Sequence, residues 1–349
     1  MKIGIIGDLH FKEKLSYDDC IEGGRQSEVD EVVSCIHSSF ADCDYVVFLG
    51  DNFDKKNNPS SVIKRMTEMI ETISKNKKQV FIIAGNHEKY GDGSSAIDYL
   101  KAVDGKNWTV VTNSVESFSL EDGKRITLCP YFYHTEFQLD NYEEAQKVLL
   151  NKLSENASDI LFHHHAVSGS QTTSGQLADL FHEIILPKPF LESTFGSSFG
   201  GHVHKPAHLS SKTHVAGSIF AQEVGEIDKF VFIYDTETGG TEEIKLPGRA
   251  IRKIDIKPGE VLPICLRTIA KVCFGQDISS EDKDKIKEEC LKKYDGCVFV
   301  EEAQYVRVKD ETKTDKHVSD LSVEEMLELY ASSSNVDITL LKKGYNIIL

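Results

Sequence analysis

The chain has 349 residues, 40% hydrophobic and 28% charged, with a formal net charge of −16 at pH 7. This suits an ordinary globular protein with room for one large α/β domain and a smaller one. No apolar run approaches the ~20 residues needed to span a bilayer, and the acidic balance argues against non-specific binding to polyanions, which needs clustered Lys and Arg.

One unit recurs along the first half. KIGIIGD runs from apolar residues into Gly7 and Asp8, DYVVFLGD into Gly50 and Asp51, and QVFIIAGN into Gly85 and Asn86. Apolar runs without alternation predict strands buried on both faces. Between them, Val29, Val32, Val33, Ile36 and Phe40 form one helical stripe. Ile63, Met66, Ile70 and Ile73 form another, after Pro59 and the candidate N-cap Ser60. Strand–helix–strand order predicts right-handed crossovers and a mostly parallel sheet. Ligands of such sheets collect at the carboxyl ends of the strands, so Asp8, Asp51 and Asn86 are expected to converge there.

From about Thr109 the strands shorten: WTVVT, RITLCPYFY, HVAGSIF and KFVFIYDTETG. They predict a second sheet packed on the first. A strand–turn–strand over 230–245 and the Pro247-Gly248 pair close this domain, expected over 1–247. Residues 248–310 read as a small α+β domain with a charged helix over Ser279–Lys293. Residues 311–349 read as a linker and a tail with a short helix from Ser322, where Glu325 completes a capping-box pattern and Met326, Leu327 and Tyr330 make a narrow apolar face. Such a helix is marginal alone and is expected to dock on something. The eight cysteines are scattered without a C-x-x-C, as for reduced intracellular thiols. The N-terminus lacks a leader pattern, so a cytoplasmic location is expected.

The polar residues at the strand ends form a set: Asp8 and His10, Asp51, Asn86 and His87, a histidine of His163-His164-His165, and His202 and His204. Mixed nitrogen and oxygen donors suit Mn, Fe or Zn better than Ca or Mg. The number of donors exceeds the needs of one ion and suits two, ~3.5–4 Å apart and sharing a carboxylate. Asn86, a neutral donor, would leave the ions more Lewis-acidic. In the triple histidine, alternation points His164 away from His163 and His165. His164 also falls where the other strands carry their ligand, leaving His163 as a packed neighbour and His165 as a candidate substrate contact.

Asp8-x-His10, Gly50-Asp51-x-x-Asp54, Gly85-Asn86-His87-Glu88, the strand-end histidine and Gly201-His202-x-His204 resemble the calcineurin-like metallophosphoesterase superfamily. GDNFDKKNNPS, ITLCPYF and THVAGSIFAQEVGEIDKFVFIYD resemble the SbcD-type nuclease subunits within it, and the compact tail resembles phage-encoded versions, for which the location would be the host cytoplasm.

The resemblance implies a four-layer αββα sandwich, a small C-terminal α+β capping domain that binds DNA, and a C-terminal helical tail. It implies two divalent ions, manganese first, with Mg2+ or Fe2+ as alternatives. Asp8, His10, Asp51 and His204 would hold one ion. Asp51, Asn86, His164 and His202 would hold the other, with Asp51 bridging, and His87 would be the catalytic group at the leaving oxygen. It further implies a DNA exonuclease, with single-strand endonuclease activity alongside, working as a homodimer with an SbcC-like coiled-coil ATPase in DNA repair, recombination or replication.

Two departures matter. Glu88 stands where SbcD-type chains carry Asp, and Asp54 stands where eukaryotic and archaeal relatives carry a histidine. The arginines of phosphoprotein phosphatases are absent after Asp54 and Glu88. Lys12, Lys14, Arg25, Lys55, Lys56, Lys89 and Lys205 follow the motifs and predict a small positive rim. A stand-alone small-molecule phosphodiesterase or phosphatase of the same fold is the alternative, and a non-catalytic scaffold is a third.

Overall fold

The computed structural model describes residues 1–301 except 78, 104–105, 258–261 and 276–277. Met1–Val300 packs as one compact unit. The expected docking helix from Ser322 lies outside the described residues.

The first sheet is built on four parallel strands, β1 (Lys2–Ile6), β2 (Tyr45–Phe48), β3 (Gln79–Ile83) and β4 (Trp108–Val111), whose apolar runs are buried almost throughout. The antiparallel β11 (Phe230–Asp235) and β12 (Thr241–Lys245) extend it beyond β1. The second sheet has the order β5 (Glu116–Ser119), β6 (Arg125–Cys129), β7 (Ile160–His163), β8 (Ser197–Gly200), β10 (Thr213–Val215) and β9 (Ala207–His208).

Three apolar layers hold this arrangement. Ile3, Ile5, Val47 and Phe81 of the first sheet meet Ile126, Leu128, Phe162 and Phe199 of the second. On the outer face of the first sheet lie α1 (Gln26–Ser39), through Val29, Val32 and Ile36, and α2 (Ser60–Ser74), through Val62, Met66, Met69, Ile70 and Ile73. On the far face of the second sheet lie α3 (Tyr142–Glu155) and α4 (Lys188–Thr194), with Ala145, Leu149, Leu153 and Leu191. The layers are therefore helix, sheet, sheet, helix, as expected. One local expectation changes: Ser60 is the first helical residue and Pro59 the N-cap, with no side-chain cap bond, because proline's fixed φ already sets the extended entry.

A third sheet, β13 (Ala250–Ile256), β14 (Thr268–Phe274) and β15 (Gly296–Glu301), packs against α5 (Ser280–Lys293), which Ser279 caps from its side chain. This small α+β module is bonded to the main sandwich. Gly225 N donates to Ile251 O, and Ile251 N donates to Glu226 O, both at 2.8–2.9 Å.

A buried ion pair reinforces the junction. Arg25 has no exposed surface and donates to both oxygens of Glu28 (2.8 and 2.6 Å) and to the carbonyls of Ser16 and Ala221. Glu28 also accepts from Arg249 N and Nη1 (2.9 and 3.2 Å). Burial pushes the Glu28 carboxyl up, but the two arginines outweigh it and hold it low. Removing one member of such a network strands a buried charge. Glu28→Ala is expected to destabilise the protein by about 3–5 kcal/mol, measured as a lowered urea midpoint. A change of a few tenths would show that Arg25 finds another partner.

Candidate metal centre

The carboxyl ends of β1, β2, β3, β7 and β8 bring the expected residues to one place. His164 Nε2 lies 3.3 Å from Asp51 Oδ2 and 3.1 Å from Asn86 Oδ1. His202 Nδ1 lies 2.9 Å from the same amide oxygen. On the other side of Asp51, His10 Nε2 is 3.7 Å from Oδ2 and 2.9 Å from His204 Nε2. Donor atoms of Asp8, His10 and His204 fall within 4.8 Å of one another, as do those of Asp51, His164 and His202, and of His10, Asp51 and His87.

Strain marks the same residues. Three of the non-glycine residues with left-handed φ are His10 (47°), Asp51 (45°) and His202 (78°). L-residues pay for this conformation, and it persists where surroundings over-determine it, often at functional sites. The glycines before the candidate ligands have a close-packing reason. A Cβ on Gly85 would stand 2.1 Å from Asp51 Oδ1, and one on Gly201 would stand 2.5 Å from Asp8 Oδ1.

The donor chemistry fits cations. The Asn86 oxygen and two imidazole nitrogens converge on one point, three donor atoms within reach of a single ion. Two further imidazole nitrogens face each other between His10 and His204. Asp8 Oδ2 and His10 Nδ1 are buried without a hydrogen-bond partner. Two buried carboxylates amid imidazoles carry uncompensated lone pairs, which divalent ions would satisfy.

The electrostatics agree. Burial pushes Asp51 up but is outweighed by His164, then His10 and His87, which hold it well below the usual carboxylate range. Burial raises Asp8, and the Asp51 charge adds to this. Burial opposes a proton on His164, yet Asp51, by charge and hydrogen bond, and then Asp8 hold its pKa above the ordinary histidine value.

The three histidines of the triplet have different surroundings. His164 Nδ1 donates to Leu49 O at 2.6 Å, which aims Nε2 inward. His163 packs beneath Gly200, where an added Cβ would stand 2.4 Å from its ring. His165 corrects the expectation of a substrate contact. It is fully buried, its Nε2 accepts from Phe132 N at 3.2 Å, and its ring stacks on Tyr131. The loop after β6 folds over it and shuts it from solvent.

The positive rim also needs correction. Arg25 is consumed by Glu28. Lys89 is buried with Glu136 (2.6 Å) and donates to Tyr131 O. Lys12 pairs with Asp54 and Lys14 with Asp19, while Lys55 and Lys205 are exposed. Lys56 lies over the Tyr90 ring at 5.7 Å. Acidic neighbours, near in sequence for Arg25 and Lys14 and distant for Lys12 and Lys89, neutralise most of what the motif-following cations promised.

Two supporting acids escape sequence inspection. Glu183 accepts from His202 Nε2 at 2.8 Å and from the Tyr131 hydroxyl at 3.2 Å. Glu226 Oε1 lies 3.4 Å from His204 Nδ1, and its other oxygen pairs with the buried Lys229 at 2.8 Å. Neither acid stands in one of the five metal-ligand motifs, although Glu226 falls within the THVAGSIFAQEVGEIDKFVFIYD stretch. Their nearness to the strand-end histidines is a product of folding, with no local spacing signal.

Burial lowers the pKa of His163 to about 3 from an ordinary 6.5, with His164 adding to the effect. Below 6.5 the unfolded chain therefore takes a proton that the folded chain refuses. Stability is lost as pH falls from 6.5 towards 3, with a slope of up to ~1.4 kcal/mol per pH unit for one proton. In EDTA, His163→Leu is expected to flatten the fall in melting temperature between pH 6.5 and 4. An unchanged slope would show that other groups carry it.

Comparisons with known proteins follow the same lines. The family model for calcineurin-like phosphoesterases matches residues 1–206. The DNA double-strand break repair protein Mre11 of Methanocaldococcus jannaschii is 22% identical over 364 residues, covering 94% of this chain and 92% of that protein. The structure of an archaeal phosphodiesterase is similar at 14% identity and a TM-score of 0.32, covering 70% of this chain and 100% of that one. The calcineurin-like phosphoesterase YfkN from Bacillus subtilis is similar at 12% identity and a TM-score of 0.36, covering 70% and 88%. All eight cysteines are free thiols, and no helix among the described residues is long and apolar enough to cross a membrane. The family match covers more than half of the sequence, and the chain belongs to the calcineurin-like phosphoesterases.

Proposed function

We propose that this chain is a manganese-dependent DNA nuclease of SbcD type, a double-strand exonuclease with single-strand endonuclease activity, working in DNA repair, recombination or replication. The observation that carries this is the extent of the likeness to Mre11. It covers 94% of the chain, so it continues beyond the family match at 1–206 and into the small α+β module. A boundary at 247/248, a DNA-facing role for that module, a homodimer and an SbcC-like ATPase partner docked through 311–349 belong to the same proposal.

Asp8, His10, Asp51 and His204 would hold one ion, and Asp51, Asn86, His164 and His202 the other. When bound, the ions supply charge neutralisation for the phosphodiester and lower the pKa of water. The chain's own groups do the rest. Asp51 would serve both, since its carboxylate groups with His10 and His87 as well as with His164 and His202. His87 is exposed, and its Nδ1 proton is committed to Asp54 O at 2.7 Å, which leaves Nε2 free on the side of Asp51. It can therefore give a proton to the leaving 3′-oxygen only as imidazolium, and as a neutral ring it can only accept one.

The alternative is a stand-alone phosphodiesterase or phosphatase acting on small substrates. The net charge of −16 and the pairing of Lys12, Lys14, Arg25 and Lys89 favour it, since duplex affinity needs unpaired cations. One experiment separates the two: end-labelled linear duplex DNA and an aryl phosphodiester, each with Mn2+ and with EDTA. The nuclease proposal expects Mn2+-dependent loss of label. Hydrolysis of the aryl ester with intact DNA would establish the alternative.

Two variants test the assignments. Asp51→Ala is expected to lower either activity by at least about 1000-fold, a loss of ~4 kcal/mol of transition-state stabilisation, and near-normal turnover would refute a shared carboxylate. His87→Ala is expected to keep its metal stoichiometry while losing turnover by about 100- to 10,000-fold. Loss of bound metal in that variant would make His87 a ligand.

A further inference from the structure

The candidate ligand histidines differ in what holds the ring nitrogen facing away from the centre. His164 uses a backbone carbonyl, Leu49 O. His10 Nδ1 has no hydrogen-bond partner, and His204 Nδ1 stands at a longer 3.4 Å from Glu226. His202 has the shortest such carboxylate contact, a hydrogen bond to Glu183 at 2.8 Å. We propose that Glu183 is a positioning residue for one of the two metal ions, acting through His202. This rests on the two-metal reading above and adds a residue outside the motifs.

The physical case has three parts. First, Glu183 and His202 are both largely buried, at 14% and 13% side-chain exposure, so the pair is not an exposed one screened to nothing. Secondly, a carboxylate on Nε2 keeps a proton there. That leaves the Nδ1 lone pair to face Asn86 and His164, and the negative charge strengthens it as a donor. Thirdly, Glu183 is itself held. The Tyr131 hydroxyl donates to its second oxygen, and Tyr131 is fixed by its amide on Ala84 O and its carbonyl under Lys89 Nζ. The Tyr131 ring also packs 5.6 Å from His202. His202 has a left-handed backbone, and the outer carboxylate selects one ring orientation for it.

The test is Mn2+ titration of the full chain, following free Mn2+ by electron paramagnetic resonance, with melting temperatures in EDTA beside it. Glu183→Ala is expected to weaken one of the two ions by about 10- to 100-fold, leaving the other ion and the EDTA melting temperature unchanged. Glu183→Gln, which keeps an oxygen acceptor at Nε2, is expected to recover most of that affinity. Wild-type affinity for both ions in Glu183→Ala overturns the inference and leaves the two-metal reading standing. Equal weakening of both ions with a lowered melting temperature also overturns it, because the role would then be structural. If Glu183→Ala does not fold, Tyr131→Phe decides, with weakening of one ion alone expected and unchanged binding contrary. A wild-type chain that binds no Mn2+ refutes the two-metal reading and the inference with it.

Discussion

The architecture of the centre depends on burying the carboxylate of Asp51. An ionised carboxylate removed from water is costly unless paired and hydrogen-bonded. Here one oxygen accepts from His87 N at 2.9 Å, and the other faces His164, His10 and His87 between 3.3 and 4.0 Å. Supplying those partners takes the ends of β1, β3 and β7 as well as β2, which carries Asp51. The order of strands in both sheets, and the packing of the sheets against each other through Ile5, Val47, Phe162 and Phe199, put those ends at one place. The three left-handed residues His10, Asp51 and His202 are the local cost of that convergence.

Around this centre lies a shell of groups that work on the loops. Glu88 accepts from Asn52 Nδ2, Phe53 N and Gly85 N at 2.7–3.0 Å, tying the turn after β2 to the turn after β3. Burial, with the Asp51 charge adding, raises its carboxyl to about 8, against the pull of those three donors. Next to it, Lys89 and Glu136 hold the segment after β6. Tyr133 can then donate to Asn86 O at 3.0 Å, and Tyr131 can lie over His165 and reach Glu183. The ligand loops are thus braced by side chains whose polar atoms are almost all satisfied, so rigidity comes from hydrogen bonding as well as packing.

The periodic parts of this architecture were legible in the sequence. Apolar runs ending in glycine and a polar residue marked β1, β2 and β3, because a strand buried on both faces admits little else. The stripes of α1 and α2 were legible for the same reason. The choice of His164 from its triplet followed from strand alternation, and in the folded chain that ring is the one beside Asp51. Pairings across long sequence separations were not legible. Lys12 and Lys89 looked like part of a positive rim because nothing local shows Asp54 or Glu136 beside them. His165 looked available because nothing local shows Tyr131 stacked on it. Glu183 and Glu226 looked like two acids among 56 acidic residues.

The contact between Asp51 and His164 has a thermodynamic consequence. Because the carboxylate holds a proton on His164 above the ordinary histidine range, a divalent ion would have to expel that proton to reach the nitrogen. Ion uptake would then be an exchange reaction, releasing protons to the buffer and drawing part of its free energy from pH. The apparent affinity for the ion rises with pH for as long as His164 is still losing its proton. Each added acid near the centre tightens the grip on ions and on their competitor together. A neutral amide such as Asn86 adds a donor without adding to that competition.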